Sequence, residues 1–372
     1  MFVLGQGAPE VEQTYAHALA LAEQLKDPQA SFTCAWGMWR LQFARGDMRA
    51  GREYALKCEQ ASAGLTDRVA ELGTAFALGA NYLFDGDCAA AAPHLEKSTD
   101  LYRSMEDKSG LAVFGQDPGL SSLGYLAWAR WTLGFPDAAL APCEEAVRLA
   151  RRIGKPVLIA IATGFAGMTF SMRRDMSNLI ECAEECLEIC EQHEFRQWAA
   201  MSNIMLGYAY SHRGEHDRAL ALAVSGLEEK VALQSYIACP WFCYLSAEAH
   251  LAAGQLDDAL EVARSGITYS ARGGERFFEA ENHRIQGVIL AKDGGEDRQE
   301  IEAHYDRALQ LTRTQGAKSL ELRSAVSIAR FALDDGNRDA ALASIRPVYD
   351  AFTEGFDTPD LQEARALIEE LS

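Results

Sequence analysis

Cys182, Cys186 and Cys190 stand four residues apart, with His193 three residues further on. On a helix that spacing puts the thiols on one face, a candidate set of soft metal ligands. A closed zinc site, however, needs ligands that converge on a point, usually from two elements. The pattern therefore reads as small side chains filling a helix-packing face, the common behaviour of free cysteine. Cys239 and Cys243 repeat the spacing and read the same way. His212 and His216 lie on either side of Gly214, so helical spacing does not bring them together, and they read as surface histidines. No Ser, His and Asp grouping and no G-x-S-x-G elbow presents a nucleophile. Acidic pairs such as Glu184-Glu185 and Glu228-Glu229 read as solvated helix faces. No catalytic residue, metal or cofactor is expected, and the chain is not expected to be an enzyme.

The elements that carry these residues must fit the composition. With 35 Lys and Arg against 54 Asp and Glu, the net charge is −19. Duplex nucleic acid is bound by displacing counterions with a surplus of cations, so nucleic acid and an anionic membrane surface are not expected partners. Hydrophobic residues make up 48% of the 372, enough to bury a large core. Nine cysteines without a pairing pattern argue against a disulfide framework and fit a reducing cytoplasm. The first ten residues lack the basic and apolar regions of a signal peptide. The longest mostly apolar run, 157–170, is shorter than the roughly 20 residues that span a bilayer and reads as a buried helix.

Internal repetition decides the architecture. Turn signals recur at Gly46-Asp47, Gly86-Asp87, Gly134-Phe135, Arg174-Asp175, Gly214-Glu215, Gly254-Gln255, Gly294-Gly295 and Gly336-Asn337, in steps of 40, 48, 40, 40, 40, 40 and 42 residues. A helix-length segment with apolar residues at three- and four-residue spacing flanks each turn, and no stretch alternates as a strand would. Five residues after the turn the side chain is small in six units: Gly51, Ala91, Ala139, Ala219, Ala259 and Ala341. Bulk there would force paired helices beyond the 8–10 Å or so at which helices pack. Pro93, Pro142 and Pro347 fall in second helices, where proline should kink or delay the helix. The eight-residue surplus before the third turn falls near 107–118, either a functional connection or a tolerated insertion.

These features resemble the tetratricopeptide repeat, with its small residue at the eighth position, aromatic at the eleventh, and small residues at the twentieth and twenty-seventh. Gly79, Tyr82, Ala91 and Ser98 match all four, as do Gly207, Tyr210, Ala219 and Gly226. Trp39 and Gln42 miss the pattern in the first unit. A second resemblance rests on Gly115-Gln116-Asp117-Pro118-Gly119, on the stretches 274–281 and 316–323, and on 352–361. These look like the C-terminal repeat region of bacterial adenylate/guanylate cyclase and predicted-ATPase signalling proteins. The G-x-x-x-x-G-K-[ST] loop such an ATPase uses for phosphate has no match: Gly154-Lys155 runs into Pro156, and Gly316-Ala317-Lys318-Ser319 lacks the first glycine.

The expected fold is an all-α, right-handed α-solenoid of about eight tetratricopeptide-like helix pairs. Residues 1–30 read as an unpaired half repeat, 31–356 as the array and 357–372 as a capping helix. The tetratricopeptide frame implies that first helices line the concave face. It points Trp36, Phe76, Trp128, Trp131, Met168, Met201, Tyr208, Trp241 and Tyr244 inward, with Arg284, Arg323 and Arg330 near the C-terminal end. Aromatic, Met and Arg side chains are those enriched at interfaces. The expected function is a cytoplasmic signalling scaffold that binds a partner peptide or protein in this groove. Its apolar middle and cationic end would suit a carboxylate; the alternative is a small-molecule sensor closing on an apolar ligand.

Overall fold

The computed structural model describes residues 9–106, 108–114, 117–293 and 298–372. The turn at Gly294-Gly295 and the residues Asp107, Gly115 and Gln116 lie outside them. Nine inner helices form one layer: α2 (Pro28–Ala44), α4 (Arg68–Phe84), α6 (Pro118–Thr132), α8 (Pro156–Arg173), α10 (Arg196–Ser211), α12 (Cys239–Ala252), α14 (Glu279–Lys292), α16 (Lys318–Asp334) and α18 (Pro359–Leu371). The outer layer comprises α1 (Pro9–Leu25), α3 (Met48–Ser62), α5 (Cys88–Ser104), α7 (Leu140–Ile153), α9 (Met176–His193), α11 (His216–Ala232), α13 (Leu256–Gly273), α15 (Arg298–Gln315) and α17 (Arg338–Tyr349). No strand occurs among the described residues. The fold is a tetratricopeptide-like helical solenoid.

The two layers differ as their sequences dictate. Inner α4 buries thirteen of its 17 residues, whereas outer α5 buries six of 17, in one stripe through Cys88, Ala91, Leu95, Ser98 and Tyr102. A helix apolar all round is a buried one, and a striped helix covers a core. Inner α8 is long and apolar enough to cross a membrane, because it runs 18 residues rather than the 14 of its apolar run, and 78% of it is buried between neighbours. Between layers, glycines Gly46, Gly86, Gly134, Gly214, Gly254 and Gly336 take left-handed φ of 73° to 92° at the turns. Asp47, Asp87 and Asp175 then cap the outer helices, each side chain accepting a backbone N–H three residues on. Pro93 and Pro347 lie inside α5 and α17. Pro142 falls in the first turn of α7, which starts late, at Leu140. The insertion forms a 3-10 helix, Ser109–Phe114, whose Phe114 ring packs 4.4 Å from Trp36.

The solenoid winds tightly enough that inner helices α2, α4, α6 and α8 meet units four or five pairs later. The last carbonyl of α2, Ala44, accepts the backbone N–H groups of Tyr236 and Ile237, at 3.1 and 3.3 Å, from the loop before α12. The last carbonyl of α4, Phe84, accepts from Arg276 N at 2.8 Å before α14. Trp131 O in α6 accepts from Ser319 Oγ at 2.5 Å, and Met172 O in α8 from Arg323 Nη2 at 2.6 Å, both on α16. These are groups that a helix C-terminus leaves without an intrahelical partner. Close approach seals the seam: a methyl on Gly273 would collide with the Gly46 carbonyl.

Beneath this seam Glu275 is buried. Its Oε2 accepts from Ala238 N at 3.1 Å, and its Oε1 has no partner among the described residues. Burial raises its pKa to about 8, against the backbone hydrogen bond from Ala238 and the Lys230 charge, which lower it. Burial likewise pushes the neighbouring Lys230 down.

Two predictions follow the packing. Gly207→Val should lower stability by about 1–3 kcal/mol, read as a drop in urea midpoint, because a Cβ there sits 2.7 Å from Ala219 O. Unchanged stability would refute the close approach. For Glu275 the folded pKa exceeds the usual 4.5, so the fold holds a proton that the unfolded chain releases. The stability it contributes is complete below pH 4.5 and lost as pH rises toward 8. Glu275→Gln should flatten that slope in unfolding curves at pH 5, 6.5 and 8, by on the order of a few kcal/mol.

Candidate functional site

The concave interior is filled, and the filling divides it in two. Trp36, Phe76, Trp128, Trp131, Met168, Met201, Tyr208, Trp241 and Tyr244 all face inward at 5% exposure or less. Their rings pack on one another and on further aromatics. Trp36 lies 6.0 Å from Phe76, Phe76 5.6 Å from Tyr125, Tyr125 4.8 Å from Trp128, and Trp128 5.8 Å from Trp241. The row continues through Phe278 to Tyr244 and Tyr208. Ring pairs at 4.5–7 Å add roughly 0.5–1.5 kcal/mol each beyond burial, so this row is a core as much as a surface.

Arg284 and Arg323 are buried as well, and Arg330 is exposed. The expected cationic end is corrected by what surrounds them. Arg284 holds Glu281 through Nε at 2.9 Å and Glu248 through Nη2 at 3.2 Å. Arg323 reaches the same Glu281 at 3.3 Å and Asp360 at 3.0 Å. Arg174 pairs with Asp360 at 3.1 Å and Glu363 at 2.6 Å, and Arg330 with Glu363 at 2.6 Å. Four guanidiniums thus face four carboxylates, and the cluster is neutral overall. Burial opposes charge on Arg323, but Asp360 and other acidic neighbours override it and hold its pKa well above the ordinary value. Arg323 also lies 4.9 Å from the Trp131 ring, a cation–π contact.

Beside this cluster the interior opens. A cavity of about 410 Å³ is lined by Tyr208, Tyr244, Arg284, Arg323 and Arg330, with Val288, Val326 and Phe331 as apolar wall. Among the described residues the hydroxyls of Tyr208 and Tyr244 have no hydrogen-bond partner. The other seven inward residues, Trp36, Phe76, Trp128, Trp131, Met168, Met201 and Trp241, do not line this cavity. Trp128, Met168 and Met201 line a second one, which also has Trp39, Phe43 and Trp198 on its wall. Trp39, Arg40 and Phe43 stand at three, four and seven residues from Trp36, a helical stripe that could have flagged this second cavity despite its departure from the repeat pattern.

The cysteine ladder packs as a core. Cys186 Sγ lies 3.9 Å from Cys190 Sγ and donates to Ala160 O at 3.2 Å. No group of three metal-ligand side chains converges among the described residues. His212 sits exposed at the rim of the larger cavity, edge-on to Tyr208 at 4.7 Å.

Removing the shared carboxylate should expose what it neutralises. Glu281→Ala leaves two buried guanidiniums short of an acceptor and should cost roughly 3–5 kcal/mol. The measurement is chemical denaturation, and a loss under about 1 kcal/mol would show that the network is solvated.

No protein-family model matches the chain. An uncharacterized protein of Rhizobium meliloti (strain 1021) is 21% identical over 333 residues, covering 89% of this chain and 32% of that protein. The chain thus spans about a third of the curated relative it matches. A Rap protein complexed with competence and sporulation factor superposes with a TM-score of 0.64 at 12% identity, over 98% of this chain and 95% of that one. The Rap conjugation gene regulator of plasmid pLS20, in complex with the Phr* peptide, gives 0.57 at 10% identity over 92% and 96%. The human IFIT1 dimer with m7Gppp-AAAA gives 0.54 at 13% identity over 97% and 77%. The chain shares the tetratricopeptide-like helical-repeat fold of these proteins.

Proposed function

We propose that the chain is a non-enzymatic regulatory module, in cytoplasmic bacterial signalling, that holds a segment of a partner peptide or protein in its concave face. The observation that carries this reading is the larger cavity. It combines apolar wall, four paired arginines, four carboxylates and two unpartnered tyrosine hydroxyls. A peptide suits such a lining because it brings main-chain donors and acceptors together with apolar side chains, and each can replace a partner within the cluster. A single-charge anion does not need so balanced a site. The Rap regulator solved with the Phr* peptide supports the reading by its fold. The excess of acids over bases favours peptide over RNA, which the IFIT1 likeness would otherwise suggest. The resemblance of the stretches at 274–281 and 352–361 to repeat regions behind cyclase and ATPase domains supplies the signalling setting.

A peptide-display selection against the full chain tests it. Enriched peptides should bind the chain at least tenfold more tightly than they bind Arg330→Glu or the pair Tyr208→Phe with Tyr244→Phe. Arg330 is 61% exposed on its side chain, so its variant should fold. Peptides that bind all variants equally, or no enrichment, would remove the cavity from the function. Trp128→Ala is no test of binding, since that ring is fully buried.

A further inference from the structure

The second cavity, about 120 Å³, lies toward the N-terminal half of the concave face. Tyr125 forms one wall, with its ring centroid 5.1 Å from Phe165 and 6.5 Å from Phe43. Trp198 stands beyond Phe165 at 5.2 Å, and Ile237 closes the space from the next superhelical turn. The volume approaches the roughly 150 Å³ of an engineered apolar cavity that takes up benzene. Aromatic walls offer edges and faces to a guest ring.

Arg40 separates this space from a packing gap. Its side chain lines the cavity, and its Nη1 donates to the Phe114 carbonyl at 2.5 Å. Among the described residues it has no carboxylate partner, unlike Arg174, Arg284, Arg323 and Arg330 around the larger cavity. Guanidinium carries five N–H donors, and a largely enclosed cation without a counter-ion is unfavourable. Burial accordingly lowers the pKa of Arg40. The Gln197 amide and the Tyr125 hydroxyl line the same space and have no hydrogen-bond partner among the described residues. One unpaired cation, two unused polar groups and single-ring volume define a ligand chemistry.

We propose that this cavity binds a small aromatic carboxylate, its ring among Tyr125, Phe165 and Trp198 and its carboxylate on Arg40. A planar carboxylate matches the guanidinium fork in a two-point contact. Because Ile237 and Ala238 line the cavity while the Ile237 N–H binds Ala44 O, the ligand touches both superhelical turns and clamps the seam between them. The inference does not rest on the peptide reading, which concerns the other cavity and other residues.

The test titrates the full chain with phenylacetate and with phenylacetamide, its neutral isostere, by calorimetry and by tryptophan fluorescence, since Trp39, Trp128 and Trp198 line the cavity. Phenylacetate should bind saturably and at least tenfold more tightly than the amide. Arg40→Gln, which keeps a donor for the Phe114 carbonyl, should reduce the acid to the affinity of the amide. Val157→Phe, on a half-exposed wall position, should abolish binding of both and serves as the second variant should Arg40→Gln unfold. Equal affinity for acid and amide, acid binding unchanged in Arg40→Gln, or unchanged in Val157→Phe would each overturn the proposal. So would the absence of saturable phenylacetate binding up to ~10 mM.

Discussion

The structure depends on where the last carbonyls of its inner helices go. Every α-helix ends with carbonyls that have no intrahelical donor. In α2, α4, α6 and α8 some of these groups are met by donors from about five helix pairs later: main-chain N–H groups at Tyr236, Ile237 and Arg276, then the side chains of Ser319 and Arg323. A solenoid in which each unit touches only its neighbours is a one-dimensional array. This one is stitched along a seam, so its pitch is set by hydrogen bonds rather than by neighbour packing alone. Arg323 adds a cation at the C-terminal end of α8, where the helix dipole favours positive charge.

The seam explains why the concave face is full. With about five pairs to a turn, inner helices face one another across a short distance, and their aromatic side chains meet. The row from Trp36 to Tyr208 is therefore both core and the wall of what remains open. Two of the spaces left among the described residues are of opposite character: a salt-bridged cavity toward the C-terminus and a small aromatic one, lined by Arg40, toward the N-terminus. Fixed charges in the first are satisfied before any partner arrives, and a partner must trade with them. In the second, Arg40 has no counter-ion among the described residues, so an anion there would displace none of them.

Much of the fold was legible because its causes are local. Gly46, Gly86 and Gly134 mark turns because their left-handed φ suits a residue without a side chain. Ala91 and Ala219 stand five residues after the turn because paired helices leave no room there. Stripes on outer helices, and apolar runs on inner ones, follow from burial on one side or on all sides. The cysteine ladder was legible for the same reason, as spacing on one face. Inner helices could be told from outer ones, and with them a set of aromatics that the structure buries.

What the sequence by itself determined about this protein is thus its period, its layers and which helices are buried all round, since each depends on residues within about 40 positions of one another. Only the tertiary structure decided how tightly the array winds, because that rests on partners such as Ser319 and Trp131, 188 residues apart. The winding in turn decided that Arg284 and Arg323 share Glu281, that Arg174 and Arg323 share Asp360, and that Arg40 meets the Phe114 carbonyl rather than an acid among the described residues. Charge pairing across turns follows no sequence spacing. It is set by the pitch, and the pitch by hydrogen bonds between units that no local pattern connects.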